Sequence, residues 1–213
     1  GDVGSGKTVV ALFGCLAAVA NGAQAALMAP TEILARQHYQ SILTFLSGGP
    51  FADVPVELVV SGLSKKSKEE VCRRIRAGES KIVVGTHALL SEDISFKKLT
   101  YVVIDEQHKF GVQQRALLSS KGASPDVLVM TATPIPRTLS LTLFGDLDVS
   151  VLDEMPKNRG RVITEVFLSE NAPEVYRAVR EKVLQGEQAY IVYPIVEESE
   201  NLKTVKSAKI EFE

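Results

Sequence analysis

Two short stretches carry residue types that can work on a phosphate. The first, Gly1-Asp2-Val3-Gly4-Ser5-Gly6-Lys7-Thr8, fits the pattern G-x-x-x-x-G-K-[ST]. Glycines let a backbone close around a phosphate without Cβ clashes. Their N–H groups, with the start of a following helix, form a concave anion site. Lys7 would reach the β- and γ-phosphates of a nucleotide, and the Thr8 hydroxyl would ligate magnesium. The second stretch is Asp105-Glu106-Gln107-His108, which ends the apolar run 101–104. An adjacent carboxylate pair at the carboxyl end of a buried strand lies where open α/β sheets bind ligands. Asp105 would hold magnesium through water, and Glu106 would orient and deprotonate an attacking water. Singly, the first motif could be a Gly-rich turn capping a helix and the second a solvated acidic strand end. Together, in one α/β unit, they point to hydrolysis of a nucleoside triphosphate such as ATP.

The elements that must position these groups are legible from hydrophobic patterning. Near-continuous apolar runs at 25–29, 56–60, 81–84, 101–104 and 127–131 predict strands buried on both faces, as in a parallel sheet. Helical stretches are predicted between them, at 7–20, 32–46, 65–77, 112–119 and 137–144. The alternation predicts a doubly wound α/β domain over 1–155. The polar run Met155-Pro156-Lys157-Asn158-Arg159-Gly160 marks a linker at 156–160. A further unit, 161–213, is expected to open as strand 162–168, helix 173–184 and strand 189–193. A strand is also expected ahead of Gly1. Without it the neighbouring strands would expose unpaired backbone, so the chain by itself is expected to be poorly soluble.

Threonines stand at three places where strands hand over to the next element: Thr31 after 25–29, Thr86 after 81–84, and Thr131 with Thr133 at the end of 127–131. Each suits a helix N-cap. On one carboxyl edge they would also offer donors to successive nucleic-acid phosphates, which needs no net positive charge. Thr131 and Thr133 are better placed to sense the γ-phosphate or the acidic pair. Gln107 and His108, fixed beside the carboxylates, are candidate relays between the nucleotide and a bound strand. His38 and His87 have no evident partner, and His38 reads as a helix-surface residue.

Composition is that of an ordinary globular protein, with 45% hydrophobic and 23% charged residues. The formal net charge of −2 lends no support by itself to a nucleic-acid binder. Cys15 and Cys72 fit reduced thiols, and the spacing of Cys and His suits no metal site. The apolar run 9–20 is too short to span a bilayer.

The motifs GDVGSGKT, APTEILARQH, GTHALL, DEQHKFGVQQR, TATPIPRTL and GDLDVSVLDEMP stand in the order of superfamily 2 helicase motifs. Their wording resembles the bacterial RecG branch-migration helicases, and AYIVYPIVEESE resembles the start of that family's second motor domain. The transcription-repair coupling factors are similar too, but that family usually has Phe in place of Ser5 and Glu in place of Gln107. The resemblance implies a RecA-like P-loop NTPase domain with a mostly parallel sheet, plus the beginning of a second one. It implies ATP and Mg2+ as cofactors, with Gly1, Gly4, Ser5, Gly6, Lys7 and Thr8 binding the phosphates. Thr8 and Asp105 would serve the metal, and Lys7, Asp105 and Glu106 hydrolysis. Gln107, His108, Thr131 and Thr133 would couple nucleotide state to DNA, and Thr31, Arg36 and Thr86 would contact its backbone. The implied activity is branched-DNA remodelling in recombination and repair in the bacterial cytoplasm. Branched or double-stranded DNA is the implied partner, and single-stranded DNA-binding protein a candidate one. The family's arginine-finger motif and wedge domain are not in these residues. Such an arginine is worth ~10³–10⁵ in rate, so the chain alone is expected to be nearly inactive.

Overall fold

The structure is a computed structural model that describes residues 1–62, 64–106, 117–132, 148–154 and 162–192. The chain divides into two compact units, Gly1–Arg159 and Gly160–Glu213. The first unit opens with α1 (Lys7–Ala20), followed by β1 (Gln24–Met28), α2 (Glu32–Leu46), β2 (Val56–Val59), α3 (Lys65–Ala77) and β3 (Ile82–Gly85). A single 3₁₀ turn, His87–Leu90, leads to β4 (Leu99–Ile104) and β5 (Asp126–Val129). The five strands form one sheet in the order β2-β3-β1-β4-β5. Every pairing is parallel. All carboxyl ends therefore lie on one edge.

The sheet is apolar on both faces, and side-chain alternation divides it between two cores. Ala25, Leu27, Ile82, Val84 and Val103 point to one face, where they meet Ala11, Leu12 and Cys15 of α1 and Ala35, Ile42 and Leu46 of α2. Ala26, Met28, Val83, Val102 and Ile104 point to the other, against Val71, Cys72 and Ile75 of α3 and Leu89 of the 3₁₀ turn. Burial on both sides explains why the strands read as unbroken apolar runs. Gly14 allows α1 to lie directly on β4, because a Cβ there would run into the Tyr101 ring. Both cysteines are buried free thiols, and burial pushes Cys15 up to about 12.

The polar residue Gln24 stands at the start of the central strand and is 1% exposed. Its amide nitrogen donates to the carbonyls of Ile75 and Ser80 at 2.9 and 2.8 Å. Its amide oxygen accepts from the N–H groups of Lys97 and Lys98 at 2.8 and 3.1 Å. One side chain thus ties the end of α3 and the entry to β3 to the entry of β4. Both lie at the amino edge, opposite the candidate site.

Helices α1, α2 and α3 have the bounds their patterns predict. The strand ends shift by one or two residues, as is usual where pairing rather than pattern sets the boundary. Of the helix expected at 112–119, residues 117–119 are helical and the rest lie outside the described residues. The helix expected at 137–144 and the linker 156–160 also lie outside them.

In the second unit, a 3₁₀ turn at Ser169–Asn171 leads into α4 (Ala172–Leu184), which carries no buried residue. The strands expected at 162–168 and 189–193 are not formed over 162–168 or 189–192. Val162, Ile163, Val166, Tyr190 and Val192 are instead well exposed. A strand is completed only by hydrogen bonds from a neighbour, and among the described residues of this unit no partner strand exists.

Candidate functional site: a phosphate loop beside an acidic strand end

Gly4 and Gly6 adopt positive φ, 80° and 90°, which turns the loop onto the start of α1. At the first position even a methyl group would be too large. A Cβ on Gly1 would come within 2.7 Å of Ser5 Oγ and 2.8 Å of Leu152 Cβ. Helices α2 and α3 begin with side-chain caps, Thr31 accepting from Leu34 N–H and Ser64 from Ser67 N–H. Helix α1 begins differently, with Gly6 at the cap position and no capping side chain. Among the described residues, no protein acceptor takes the N–H groups of Gly4, Gly6, Lys7 and Thr8. Four donors at the positive end of a helix dipole are thereby left without a protein acceptor among the described residues, an arrangement suited to an anion. The Lys7 ammonium lies over the same loop, donating to the carbonyls of Gly1 at 2.7 Å and Asp2 at 2.8 Å. These are bonds that phosphate oxygens could replace. The Ser5 hydroxyl is buried without a partner among the described residues, a further polar group available inside the loop.

The acidic pair follows β4. Three backbone contacts carry the phosphate loop to it along the carboxyl edge. The Gly1 amino group donates to the Thr131 carbonyl at 3.4 Å, just past β5. Met130 N–H donates to the Ile104 carbonyl at 2.8 Å, and Asp105 N–H donates to the Met28 carbonyl at 3.0 Å. The parallel topology thus brings Lys7 and Thr8 to the same edge as Asp105 and Glu106. Glu106 has φ 49°, the one described non-glycine residue with positive φ. Left-handed backbone at a bulky residue costs of order 1 kcal/mol and tends to persist where the residue's placement has a use. Its N–H donates to Asp105 Oδ1 at 3.0 Å.

Asp105 has a second partner that sequence reasoning missed. His38 is a buried residue rather than a helix-surface one, 9% exposed. Its Nε2 lies 2.7 Å from Asp105 Oδ2. His38 falls on the stripe of α2 formed by Ala35, Ile42 and Leu46, all buried. Read on that stripe, a histidine signals a polar partner inside, but the partner is 67 residues away and invisible to periodicity.

The remaining expected residues divide. Thr31 caps α2 and is exposed on the carboxyl edge. Arg36 is exposed and paired to Glu32 at 2.7 Å. Thr86 is 3% exposed, and its oxygen accepts from Ala88 N–H to cap the 3₁₀ turn. That burial leaves the exposed His87, rather than Thr86, on the surface there. Thr131 follows β5 beside the start of the phosphate loop. Gln107, His108 and Thr133 lie outside the described residues.

A parallel sheet covered on both faces, an uncapped Gly-rich helix start and a carboxylate pair on the same edge define a RecA-like P-loop NTPase domain. Comparison with known families agrees: the DEAD/DEAH box helicase family matches residues 1–142. The chain belongs to that family. It is 52% identical to the ATP-dependent DNA helicase RecG of Synechocystis sp. over 202 residues, 95% of this chain and 24% of that protein. It is 50% identical to the Bacillus subtilis protein of the same name, over 95% of this chain and 29% of that one. The solved structure of RecG bound to a three-way DNA junction matches with a TM-score of 0.75 at 45% identity, covering 92% of this chain and 26% of that one. Yeast Dbp5 bound to RNA and ADP BeF3 matches with a TM-score of 0.54 at 20% identity, over 70% of this chain and 40% of that one, a likeness of fold alone. The chain thus spans about a quarter to three tenths of the length of the RecG proteins it matches.

Proposed function

We propose that this chain is the ATP-hydrolysing segment of a RecG-type DNA helicase, a motor that remodels branched DNA in recombination and repair. The observation that carries the reading is the row of open N–H groups at Gly4, Gly6, Lys7 and Thr8, on the same edge as Asp105 and Glu106. The similarity to RecG across nearly the whole chain supports DNA as the substrate.

The chain's own groups suit the reaction. The loop N–H groups and Lys7 would bind and orient the β- and γ-phosphates, and phosphoryl transfer depends mainly on such positioning and charge stabilisation. Glu106 would hold the attacking water and accept its proton. The hydroxyl of Thr8 and the carboxylate of Asp105 are hard oxygen donors of the kind Mg2+ prefers. Bound there, the metal would neutralise charge developing on the phosphate oxygens. Gln107, His108, Thr131 and Thr133 would link nucleotide state to DNA, with Thr31, Arg36 and Thr86 or its turn at the DNA backbone. In domain terms, 1–155 is the first motor domain, 156–160 the linker and 161–213 the start of the second. No described helix is long and apolar enough to cross a membrane. The bacterial cytoplasm is the proposed location, and single-stranded DNA-binding protein a proposed partner.

Two experiments test this in the full protein that carries the chain. Lys7→Ala is expected to weaken nucleotide binding by about 1.5–3 kcal/mol, the worth of charge-assisted hydrogen bonds. That is roughly 10- to 150-fold in Kd by titration with a fluorescent ATP analogue. ATPase stimulation should then be compared among forked DNA, linear duplex and RNA. Forked DNA should stimulate most. Equal stimulation by linear duplex would favour a translocase like the transcription-repair coupling factors, and stimulation by RNA alone would overturn the assignment to DNA.

A further inference from the structure

We propose that His38 is a positioning residue that sets the carboxylate of Asp105 for metal binding and ties it to α2. The inference rests on the reading above, in which Asp105 serves magnesium. Asp105 is 8% exposed and is held at three points, by β1, by the next residue and by α2. Its N–H donates to the Met28 carbonyl at the end of β1. Its Oδ1 accepts from Glu106 N–H at 3.0 Å. Its Oδ2 meets His38 Nε2 at 2.7 Å. An ionised carboxylate only accepts, so Nε2 carries the proton and donates. One lone pair of each oxygen is then occupied, the plane of the carboxylate is set, and a second lone pair on each oxygen remains for a metal or its water.

The place of His38 on α2 supports a specific role. It interrupts the apolar stripe of Ala35, Ile42 and Leu46, a row that packing alone would fill with aliphatic side chains. The Thr31 end of the same helix is exposed on the carboxyl edge two turns away. The hydrogen bond therefore joins a candidate DNA-contacting helix start to the carboxylate through one rigid element. Hydrogen bonds to metal-binding groups orient them, and their loss commonly weakens metal affinity by about 10–100-fold.

The test uses the full protein with a non-hydrolysable ATP analogue and Mn2+ as the metal probe, followed by electron paramagnetic resonance. His38→Leu keeps the bulk and removes the donor. His38→Gln keeps a terminal N–H donor. The expected result is that His38→Leu weakens Mn2+ binding about 10–100-fold, while affinity for the metal-free analogue stays within a factor of a few of wild type. His38→Gln should recover most of the loss. Asp105→Asn serves as the control. If Asp105→Asn weakens Mn2+ binding and His38→Leu does not, the role of His38 is overturned and the site assignment stands. If Asp105→Asn leaves Mn2+ binding unchanged, the site assignment itself fails. Equal losses of metal-free and metal-loaded binding in His38→Leu, without recovery in His38→Gln, would make His38 a core residue only.

Discussion

Glu106→Gln, made in the full protein, should slow ATP hydrolysis by ~10²–10⁴, the usual worth of a positioned general base. Nucleotide affinity should change little, because the groups proposed to hold the phosphates belong to the loop and the start of α1. The substitution preserves shape and backbone demands. Position 106 has a left-handed φ of 49°, which costs Gln about as much as Glu. Any rate loss therefore reports the carboxylate. Single-turnover hydrolysis, read beside fluorescent-nucleotide titration, separates chemistry from binding. A variant that hydrolyses ATP at the wild-type rate would remove Glu106 from the mechanism. One that loses binding and hydrolysis together would point to a disturbed loop.

The second large effect concerns stability. Gln24→Ala should lower the unfolding free energy by about 2–4 kcal/mol, because a buried polar group left without a partner costs about 1–3 kcal/mol, in full for the buried Ser80 carbonyl and in part for the half-buried N–H groups of Lys97 and Lys98. The N–H groups of Lys97 and Lys98 have Gln24 Oε1 as their acceptor, and among the described residues nothing replaces it. The Ile75 carbonyl suffers less, since it also accepts from Gly78 N–H. Domains of this kind have only about 5–15 kcal/mol in total, so the loss should be plain in urea unfolding. Gln24→Glu offers a sharper comparison. It keeps an acceptor for the two N–H groups but sets a second oxygen against the carbonyls of Ile75 and Ser80. It too should be destabilised. A variant as stable as wild type in either case would show that β4 and α3 are secured elsewhere.

Glu106 and Gln24 lie at opposite edges of one sheet. Gln24 fastens the amino edge, where the strands enter. The carboxyl edge carries the strained Glu106, the open loop N–H groups and the His38–Asp105 bond.

Much of this was written locally in the chain. The phosphate loop and the acidic pair are contiguous motifs, and each motif's chemistry is set by neighbours within eight residues. Helices α1, α2 and α3 could be bounded from patterning because their hydrogen bonds are internal and their caps and stops, such as Thr31, Ser64 and Gly78, sit next to them. Strand identity in the first unit was legible because burial on both faces leaves an apolar signature. The strand expected at 162–168, and the described residues 189–192 of the one expected at 189–193, show the limit of that signature, since a strand needs a neighbour and an apolar run does not supply one. Only the tertiary structure settled the order β2-β3-β1-β4-β5, the burial of Thr86, the four-point clamp of Gln24 and the partnership of His38 with Asp105. Each depends on contacts between residues distant in sequence, and whether a polar side chain is solvated or paired is decided by what lies across the gap, which periodicity along a single helix or strand does not encode.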